Sequence, residues 1–296
     1  TRRLAQHRAG QTDGDGERAK ASFHGDRKYH QPRSPRQAMT YIHGTEPTEQ
    51  ERLAALNRLT NQAFIDFLDV RPGMRILEVG SGLGILAAAV AKAAAGVHVV
   101  GLEQSPVQIA AAVECGSVRY VRGDAHHLPF DDEGFDLVYA RYVLEHVSSP
   151  ETALKEMRRV ARPGGRVAAC ENDISVLRLD PDCPVFEMVW GAFQEYQRSL
   201  GGDSHVGRSL YRLFRKAGFS GIELSVQPEV HWHGSPWFAG WTRNLAGNIE
   251  GGRDGLVESG LCSEERIDAA LAELRALLDN DQASSHFMWN RAVAVR

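Results

Sequence analysis

Three glycines at alternate positions directly follow a short apolar run, and this pattern constrains the fold more than any other feature. The stretch ILEVGSGLGIL places Gly80, Gly82 and Gly84 after a run that ends at Val79, and the helix-forming residues 85–95 come next. A strand that enters a helix through such a turn is typical of an α/β sheet that binds a ligand at the carboxyl ends of its strands. Glycine allows positive φ angles and lets a ligand approach the backbone.

Strand patterns and helical patterns alternate along the chain as far as residue 172. Ser-Pro pairs at 105–106 and 149–150 predict the first residues of two helices, because serine caps free amides and proline suits the first helical position. The predicted strands are 74–79, 97–103, 117–124, 135–140 and 166–172, followed by two late strands near 221–228 and 286–296. This order predicts an α/β fold, a doubly wound, seven-stranded, mostly parallel sheet with helical cap insertions.

Composition excludes several classes of protein. A formal net charge of −4 argues against a general nucleic-acid-binding protein. No apolar run is long enough to form a membrane-spanning helix. Scattered cysteines without a CxxC pair argue against a disulfide framework or zinc ribbon and favour a reducing cytoplasm. They are Cys115, Cys170, Cys183 and Cys262.

The spacing of the glycine turn separates two kinds of nucleotide ligand. A dinucleotide fingerprint, G-x-G-x-x-G counted from Gly80, requires glycine at position 85, where this chain has Ile85. Glu78 precedes the turn, and a carboxylate is a poor neighbour for a pyrophosphate. The pattern E-x-G-x-G-x-G therefore favours a positively charged nucleoside without phosphate.

Five motifs together resemble a known family. In sequence order they are LEVGSGLG, Glu103 at the end of the second strand, GDA at 123–125, FDLVYARYVLEHV and RPGGRV. They resemble the class I S-adenosylmethionine-dependent methyltransferases. The chain is most similar to the small-molecule group related to the ubiquinone and menaquinone biosynthesis methyltransferases, over roughly residues 40–227.

The resemblance implies that S-adenosyl-L-methionine is the cofactor and predicts which residues bind it. Glu78 is expected near the ammonium group, Glu103 at both ribose hydroxyls and Asp124 at the adenine amino group. Arg141 is expected near the methionine carboxylate, with a surface ion pair as its alternative. The other predicted cofactor-binding residues are Tyr41, Gly80, Ser81, Gly82, Gly84, Gln104 and Ala125.

Acceptor residues are expected from segments over the cofactor. His146 in VLEHV is the first candidate for a base or hydrogen-bond donor, and His43 and Asp173 are the other catalytic candidates. Near the end of the fifth strand, one of the two carboxylates at 171 and 173 is expected instead to cap a helix or pair with an arginine. The predicted substrate-binding residues are Glu171, Asn172, His205, Arg208 and Trp237.

Two histidine pairs raise the question of a metal. The pairs are 126–127 and 231 with 233, and neither has a third ligand at a telling position, so no metal site is predicted.

The predicted organisation divides the chain into seven segments. These are a basic, flexible arm (1–40), a helical segment over the cofactor (41–70), the cofactor-binding core (71–175), a helical cap insertion (176–205), a core continuation (206–230), an aromatic and helical cap (231–283) and a final core strand (284–296). The predicted function is methyl transfer to oxygen, nitrogen or carbon of a small molecule, in specialised or quinone-like metabolism, with no nucleic-acid partner. A protein or RNA acceptor, or noncatalytic cofactor binding, is the alternative.

Overall fold

The computed structural model describes residues 47–296, with side chains from Leu56 onward except that of Arg58. Tyr41, His43 and the predicted arm at 1–40 lie outside the described residues.

Within residues 47–296, eight strands form one sheet. They are β1 (Arg75–Val79), β2 (His98–Glu103), β3 (Val118–Arg122), β4 (Phe135–Arg141), β5 (Ala161–Glu171), β6 (Arg178–Asp180), β7 (Glu223–Trp232) and β8 (Ser284–Val295). The strand order is β3-β2-β1-β4-β5-β8-β6, and β7 also pairs with β8. β1 to β5 are parallel, whereas β8 is antiparallel to β5, β6 and β7. The predicted doubly wound, mostly parallel sheet is confirmed. The additional strand, β6, spans three residues, too few for a hydrophobic period to reveal.

The helices cover both faces of this sheet. They are α1 (Pro47–Leu68), α2 (Ile85–Ala93), α3 (Pro106–Ala110), α4 (Pro150–Val160), α5 (Pro184–Ser199), α6 (Leu210–Lys216), α7 (Phe238–Gly251), α8 (Arg253–Glu258) and α9 (Glu264–Asp279). Both predicted Ser-Pro starts are confirmed. Ser105 Oγ accepts a hydrogen bond from Gln108 N, and Ser149 Oγ accepts one from Thr152 N.

Two apolar clusters lie on opposite faces of the sheet, because successive strand side chains alternate between the faces. Ile76 and Tyr139 belong to the cluster that includes α1, α2 and α7, which we call the α1 face. Leu77 and Val138 belong to the cluster that includes α4 and α6, which we call the α4 face.

The antiparallel pair of β7 and β8 extends past the carboxyl edge of the parallel strands. Glu171, the last residue of β5, pairs with Asn290, and β8 continues from there back to Ser284. Residues 227–232 of β7 pair with this extension as far as Trp232. We call residues 227–232 and 284–289 the ribbon. It lies beyond the strand ends, where an open α/β sheet binds its ligands.

Candidate active site

The glycine turn between β1 and α2 has the backbone conformation that its sequence predicts. Gly80, Gly82 and Gly84 have φ angles of 75°, 53° and 69°, which residues with a Cβ adopt only at a cost. A Cβ on Gly80 would collide with Val143, and one on Gly84 would collide with Tyr120. Two of the three glycines are thus required by packing within the protein as well as by φ.

Glu103, at the end of β2, holds this turn in place. Its Oε2 accepts a hydrogen bond from Gly82 N at 2.9 Å, and its Oε1 accepts bonds from Gln104 N and Ser105 N, each at 2.8 Å. The carbonyl oxygen of Leu102 accepts from Gly80 N and Ser81 N. The second strand end therefore fixes the position of both the turn and a half-buried carboxylate.

Glu78 lies beneath the turn with its carboxylate removed from water. The residue is 3% exposed, and its Oε2 has no hydrogen-bond partner among the described residues. Burial raises the pKa of Glu78 to about 8, although the charge of Arg141 and the nearby Tyr139 hydroxyl oppose the shift. A buried carboxylate without a partner is costly unless a cationic group completes it.

Arg141 ends β4 on the α1 face and binds neutral groups of α1. Its guanidinium donates to Asn57 Oδ1 at 2.6 Å, to Asn61 Oδ1 at 2.7 Å and to Thr60 Oγ1 at 3.2 Å. It also lies 5.4 Å from the centre of the Phe64 ring. Arg141 takes part in no ion pair with the side chains described from Leu56 onward, and its contact with the methionine carboxylate stays a prediction.

Asp124, after β3, is held by a histidine that the sequence-based prediction did not assign to this site. Asp124 Oδ1 lies 2.7 Å from His126 Nδ1 and accepts a hydrogen bond from His126 N at 2.9 Å. On the other side of the ring, Ser149 N donates to His126 Nε2 at 3.2 Å. His126 therefore connects Asp124 to the first residues of α4. The Asp-x-His spacing is the sequence signal that could have identified this contact.

Glu171 is entirely buried at the end of β5 and organises the loop after β4. Its Oε1 accepts hydrogen bonds from Val143 N at 3.1 Å and Leu144 N at 3.0 Å. Burial, reinforced by the nearby charge of Glu145, raises the pKa of Glu171 to about 8. The predicted contact with an acceptor is therefore corrected, because a carboxylate that is 0% exposed and binds two amides supports the loop instead.

Glu145 connects three elements around this loop and was not predicted. Its Oε1 accepts from Asn172 Nδ2 at 2.5 Å, and its Oε2 accepts from Gln197 Nε2 of α5 at 3.1 Å. His146 follows Glu145 on the short 3-10 helix Leu144–His146. The Nε2 atom of His146 lies 3.7 Å from Glu145 Oε1, and a quarter of the His146 side chain is exposed. Asn172 thus supports Glu145, and His146 faces partly outward.

Asp173 is bound in an ion pair. Arg208 Nε donates to Asp173 Oδ2 at 2.6 Å, and an Nη of Arg208 donates to Oδ1 at 2.7 Å. Asp173 Oδ1 also accepts from the hydroxyl and backbone N of Ser175, at the first residues of a 3-10 helix. Burial opposes ionisation, but the hydrogen bonds from Arg208 and Ser175 and the charge of Arg208 hold the pKa of Asp173 below its usual value.

The predicted catalytic role of Asp173 is corrected on this geometry, because both of its oxygens are already bound and its pKa is lowered. The alternative, that one carboxylate of this segment caps a helix and pairs with an arginine, is confirmed. Arg208 accordingly binds Asp173 rather than reaching freely towards an acceptor.

The remaining predicted residues occupy different positions. His205 Nε2 lies 2.7 Å from Gln194 Oε1 of α5. Trp237 precedes α7 and is 47% exposed. Gln104 is exposed at the end of β2, Ser81 is 7% exposed within the turn, and Ala125 is half-buried beside Asp124.

Residues 47–296 contain no group of three or more His, Cys, Asp or Glu side chains placed to hold a metal ion. None of the helices in this range is long and apolar enough to cross a membrane.

A doubly wound sheet whose glycine turn is flanked by acidic residues is typical of the enzymes that bind S-adenosylmethionine. Family models also match methyltransferases. One described as "Methyltransferase domain" matches residues 77–169, and one described as "Protein-L-isoaspartate(D-aspartate) O-methyltransferase" matches residues 17–121.

Curated relatives give longer matches. The chain is 36% identical over 193 residues to the demethylmenaquinone methyltransferase of Mycobacterium tuberculosis, a match that covers 65% of this chain and 79% of that protein. It is 35% identical over 188 residues to the O-methyltransferase rstn1 of Aspergillus nomiae, covering 61% and 79%. It spans only 48% of the length of an uncharacterized 37.1 kDa transposon protein of Streptomyces fradiae, at 34% identity over 55% of this chain.

Solved structures share the fold. A protein assigned as a methyltransferase from an antibiotic biosynthesis pathway of Anabaena variabilis superposes with a TM-score of 0.57 at 19% identity, over 81% of this chain and 97% of that one. The YcgJ protein of Bacillus subtilis gives 0.52 at 19% identity, over 81% and 98%.

This chain belongs to the class I S-adenosylmethionine-dependent methyltransferases, in the small-molecule group that includes the quinone-biosynthesis enzymes. The predicted enzyme class and cofactor are confirmed. The residues present also fit the cofactor, which carries an ammonium group and a positively charged sulfur. Glu78 provides a buried carboxylate oxygen without a partner among the described residues, and the turn of positive-φ glycines adjoins Glu103.

Proposed function

We propose that this enzyme transfers the methyl group of S-adenosylmethionine to oxygen, nitrogen or carbon of a small-molecule acceptor, in specialised or quinone-like metabolism. The observation that carries this proposal is the buried carboxylate of Glu78, whose Oε2 has no partner among the described residues, beneath a turn of three positive-φ glycines. Such a site suits a cationic ligand and opposes a phosphate.

Each cofactor-binding role in the proposal follows from the charge and position of a side chain. Glu78 faces the ammonium group, and Glu103, already held by three backbone amides, binds the ribose hydroxyls. Asp124 is oriented by His126 for the adenine amino group. Arg141 is available to the methionine carboxylate because its partners on α1 are neutral.

The cofactor supplies, when bound, an electrophilic methyl group on a positively charged sulfur. The residues of this chain need to hold the acceptor atom in line with it, and alignment alone accelerates such transfers strongly. His146 is our candidate for taking the acceptor's hydroxyl proton, because it is partly exposed and follows β4. Tyr41 and His43 lie outside the described residues, so their roles at this site remain predictions.

Substitution of His146 tests the catalytic assignment. We expect His146→Ala to lower kcat by about 100-fold, the contribution of a typical general base, while the affinity for S-adenosylhomocysteine stays within a factor of two. The control is His98→Ala, which removes an exposed histidine at the first residue of β2, on the opposite edge of the sheet. An unchanged kcat, or an equal loss in the control, would reject this role for His146.

Labelled S-adenosylmethionine tests the acceptor class. The enzyme is incubated with separate small-molecule, protein and RNA fractions, and we expect label in the small-molecule fraction. The isoaspartate model does not favour a protein acceptor here, since its match ends at residue 121, before β4. Label in protein or RNA alone would establish the rival function, and tight cofactor binding without labelled product would indicate a noncatalytic protein.

The predicted cytoplasmic location remains a proposal. It is supported by the four cysteines, all of which are free thiols in the structure.

A further inference from the structure

One face of the ribbon carries a polar cluster buried among aromatic rings. Glu229 and His231 on β7 are each 7% exposed, and Ser285, which pairs with His231, is 0% exposed. Trp241 of α7 and Trp289 of β8 enclose them. The ring centre of Trp241 lies 5.6 Å from that of His231 and 6.1 Å from that of Trp289. We call these five residues the ribbon cluster.

Three polar atoms of the ribbon cluster have no hydrogen bond within the described part of the chain. They are Nε1 of Trp241, Oγ of Ser285 and Nε2 of His231. The last lies 3.3 Å from Glu229 Oε2, where it forms an ion pair if His231 is protonated, but it is not aligned for a hydrogen bond. Glu229 Oε1 accepts a hydrogen bond from Trp289 Nε1 at 3.0 Å. Native proteins bury few polar atoms without partners, so three in one place require an explanation.

The ribbon cluster adjoins the proposed site of methyl transfer. Trp289 lies on the α1 face, the face of Glu78 and Arg141, and its ring is 4.5 Å from that of Tyr142. Tyr142 directly follows Arg141, and a small cavity borders Tyr142 and Trp289. The charge of Glu229 also contributes to the raised pKa of Tyr142, although burial is the larger cause. The ribbon cluster therefore faces the end of β4.

The donors and acceptors of the cluster select a type of ligand group. An indole N–H only donates, whereas the carboxylate of Glu229 only accepts. A phenolic hydroxyl satisfies both, because its oxygen accepts from Trp241 and its proton goes to Glu229 or His231. An ammonium group only donates and would leave Trp241 without a partner. The surrounding indole rings suit a planar aromatic ligand.

We propose that the ribbon cluster binds the hydroxyl-bearing end of a planar aromatic acceptor and thereby selects phenolic substrates. This inference rests on the proposed function. Because the cluster is buried, its occupation moves the two indole rings, and tryptophan fluorescence reports the event directly.

The test compares two probes that differ in one hydroxyl group. Binding of 7-hydroxycoumarin and of coumarin is measured by calorimetry and by tryptophan fluorescence, on full-length protein saturated with S-adenosylhomocysteine so that no turnover occurs. We expect 7-hydroxycoumarin to bind about tenfold more tightly than coumarin, since a buried polar group that finds a partner gains roughly that factor. Trp241→Phe and Ser285→Ala should each remove most of this difference and leave coumarin binding unchanged.

A matched variant controls for the loss of an indole. Trp190→Phe removes an N–H on α5 that already donates to Ile174 O at 3.0 Å, and it should leave the affinities for both probes unchanged. Retained affinity for S-adenosylhomocysteine shows that each variant is folded.

The outcomes separate this inference from the proposed function. Failure of the wild-type protein to bind S-adenosylhomocysteine would defeat the proposed function itself. If the cofactor product binds but neither probe does, or if Trp241→Phe and Trp190→Phe behave alike, the ribbon cluster is not a phenol site.

Discussion

Acidic residues at the ends of β1 and β5 look equivalent in sequence but have different surroundings. Each has one buried carboxylate oxygen without a partner among the described residues. Glu78 lies on the α1 face beneath the glycine turn, whereas Glu171 lies on the α4 face with its other oxygen bound to two amides of the loop after β4. Glu103 keeps a half-buried carboxylate at the turn, whereas Asp173 is fixed by Arg208. We therefore propose that the same residue types bind the cofactor on one side of the edge and stabilise the protein on the other.

The partners of each carboxylate decide its role, since a strand end only fixes its location. Towards β1, backbone amides of the adjacent turn and of the residues after β2 bind Glu103. Towards β5, Arg208 binds both oxygens of Asp173, and loop amides bind one oxygen of Glu171.

Replacing Glu103 should have the largest effect on cofactor binding. Glu103→Ala removes the proposed ribose contacts and frees the amide of Gly82, so we expect the Kd for S-adenosylhomocysteine to rise by about 100-fold, equivalent to about 3 kcal/mol. Calorimetric titration measures this change.

Two comparisons sharpen the Glu103 result. Glu195→Ala removes an exposed carboxylate of α5 and should leave the Kd unchanged, as should His146→Ala. Equal losses in Glu103→Ala and His146→Ala would contradict the separation of cofactor and acceptor residues.

The geometry of the glycine turn and its contact with the end of β2 could be predicted because their signals are local in sequence. Gly80 to Gly84 follow a single strand, and Glu103 ends the next one. The parallel sheet then brings these strand ends together without any further information. Even so, His126 was missed, because its contact with Asp124 depends on how the loop after β3 closes.

The contacts around the end of β5 could not be predicted because they join distant segments. Asp173 and Arg208 are 35 residues apart, and Glu145 meets Gln197 across 52 residues. Which carboxylate pairs with which cation depends on packing that hydrophobic periodicity does not encode. The ribbon could not be predicted either, because β7 continues four residues past residue 228, where the sequence predicted its end.

Breaking the ion pair near β5 should lower stability rather than catalysis. Asp173→Ala removes the bonds to Arg208 and Ser175, so we expect the free energy of unfolding in urea to fall by about 2 kcal/mol at pH 7. Since the folded pKa is lowered, this contribution is present above the unfolded pKa and disappears as the pH falls through the folded value.

An exposed ion pair provides the reference for Asp173. Asp132→Ala removes a carboxylate that is 65% exposed and pairs with Arg159, and it should cost less than about 1 kcal/mol. A drop of 100-fold in kcat for Asp173→Ala, without loss of stability, would restore its catalytic role.

The pH dependence of cofactor binding should distinguish the two carboxylates whose pKa is about 8. A bound ammonium group favours ionised Glu78, so affinity for S-adenosylhomocysteine should rise with pH up to about 8, by as much as about tenfold per unit. Glu78→Gln should lose this rise. Glu171→Gln should keep it, because Glu171 supports a loop on the other face.

The amino group of S-adenosylhomocysteine titrates equally in experiments with the wild type, Glu78→Gln and Glu171→Gln. The test therefore rests on the differences between their binding profiles.

The pH dependence of stability provides a second measurement. A raised folded pKa means that the contribution of Glu171 declines as the pH rises from about 4.5 to about 8. Glu171→Gln should therefore flatten the stability profile over that range. A binding profile that is altered by Glu171→Gln and not by Glu78→Gln would reverse the assignment.

The smallest expected effect concerns the two buried tryptophans of the cap. Trp190→Phe leaves the carbonyl of Ile174 without its donor and should lower the free energy of unfolding by about 1–2 kcal/mol. Trp241→Phe removes an N–H that has no partner, so the lost packing is partly offset and the change should stay below about 1 kcal/mol. Both are measured by urea unfolding without ligand. A larger loss for Trp241→Phe would mean that its N–H is satisfied within the protein, and the ribbon cluster would then need no ligand to complete it.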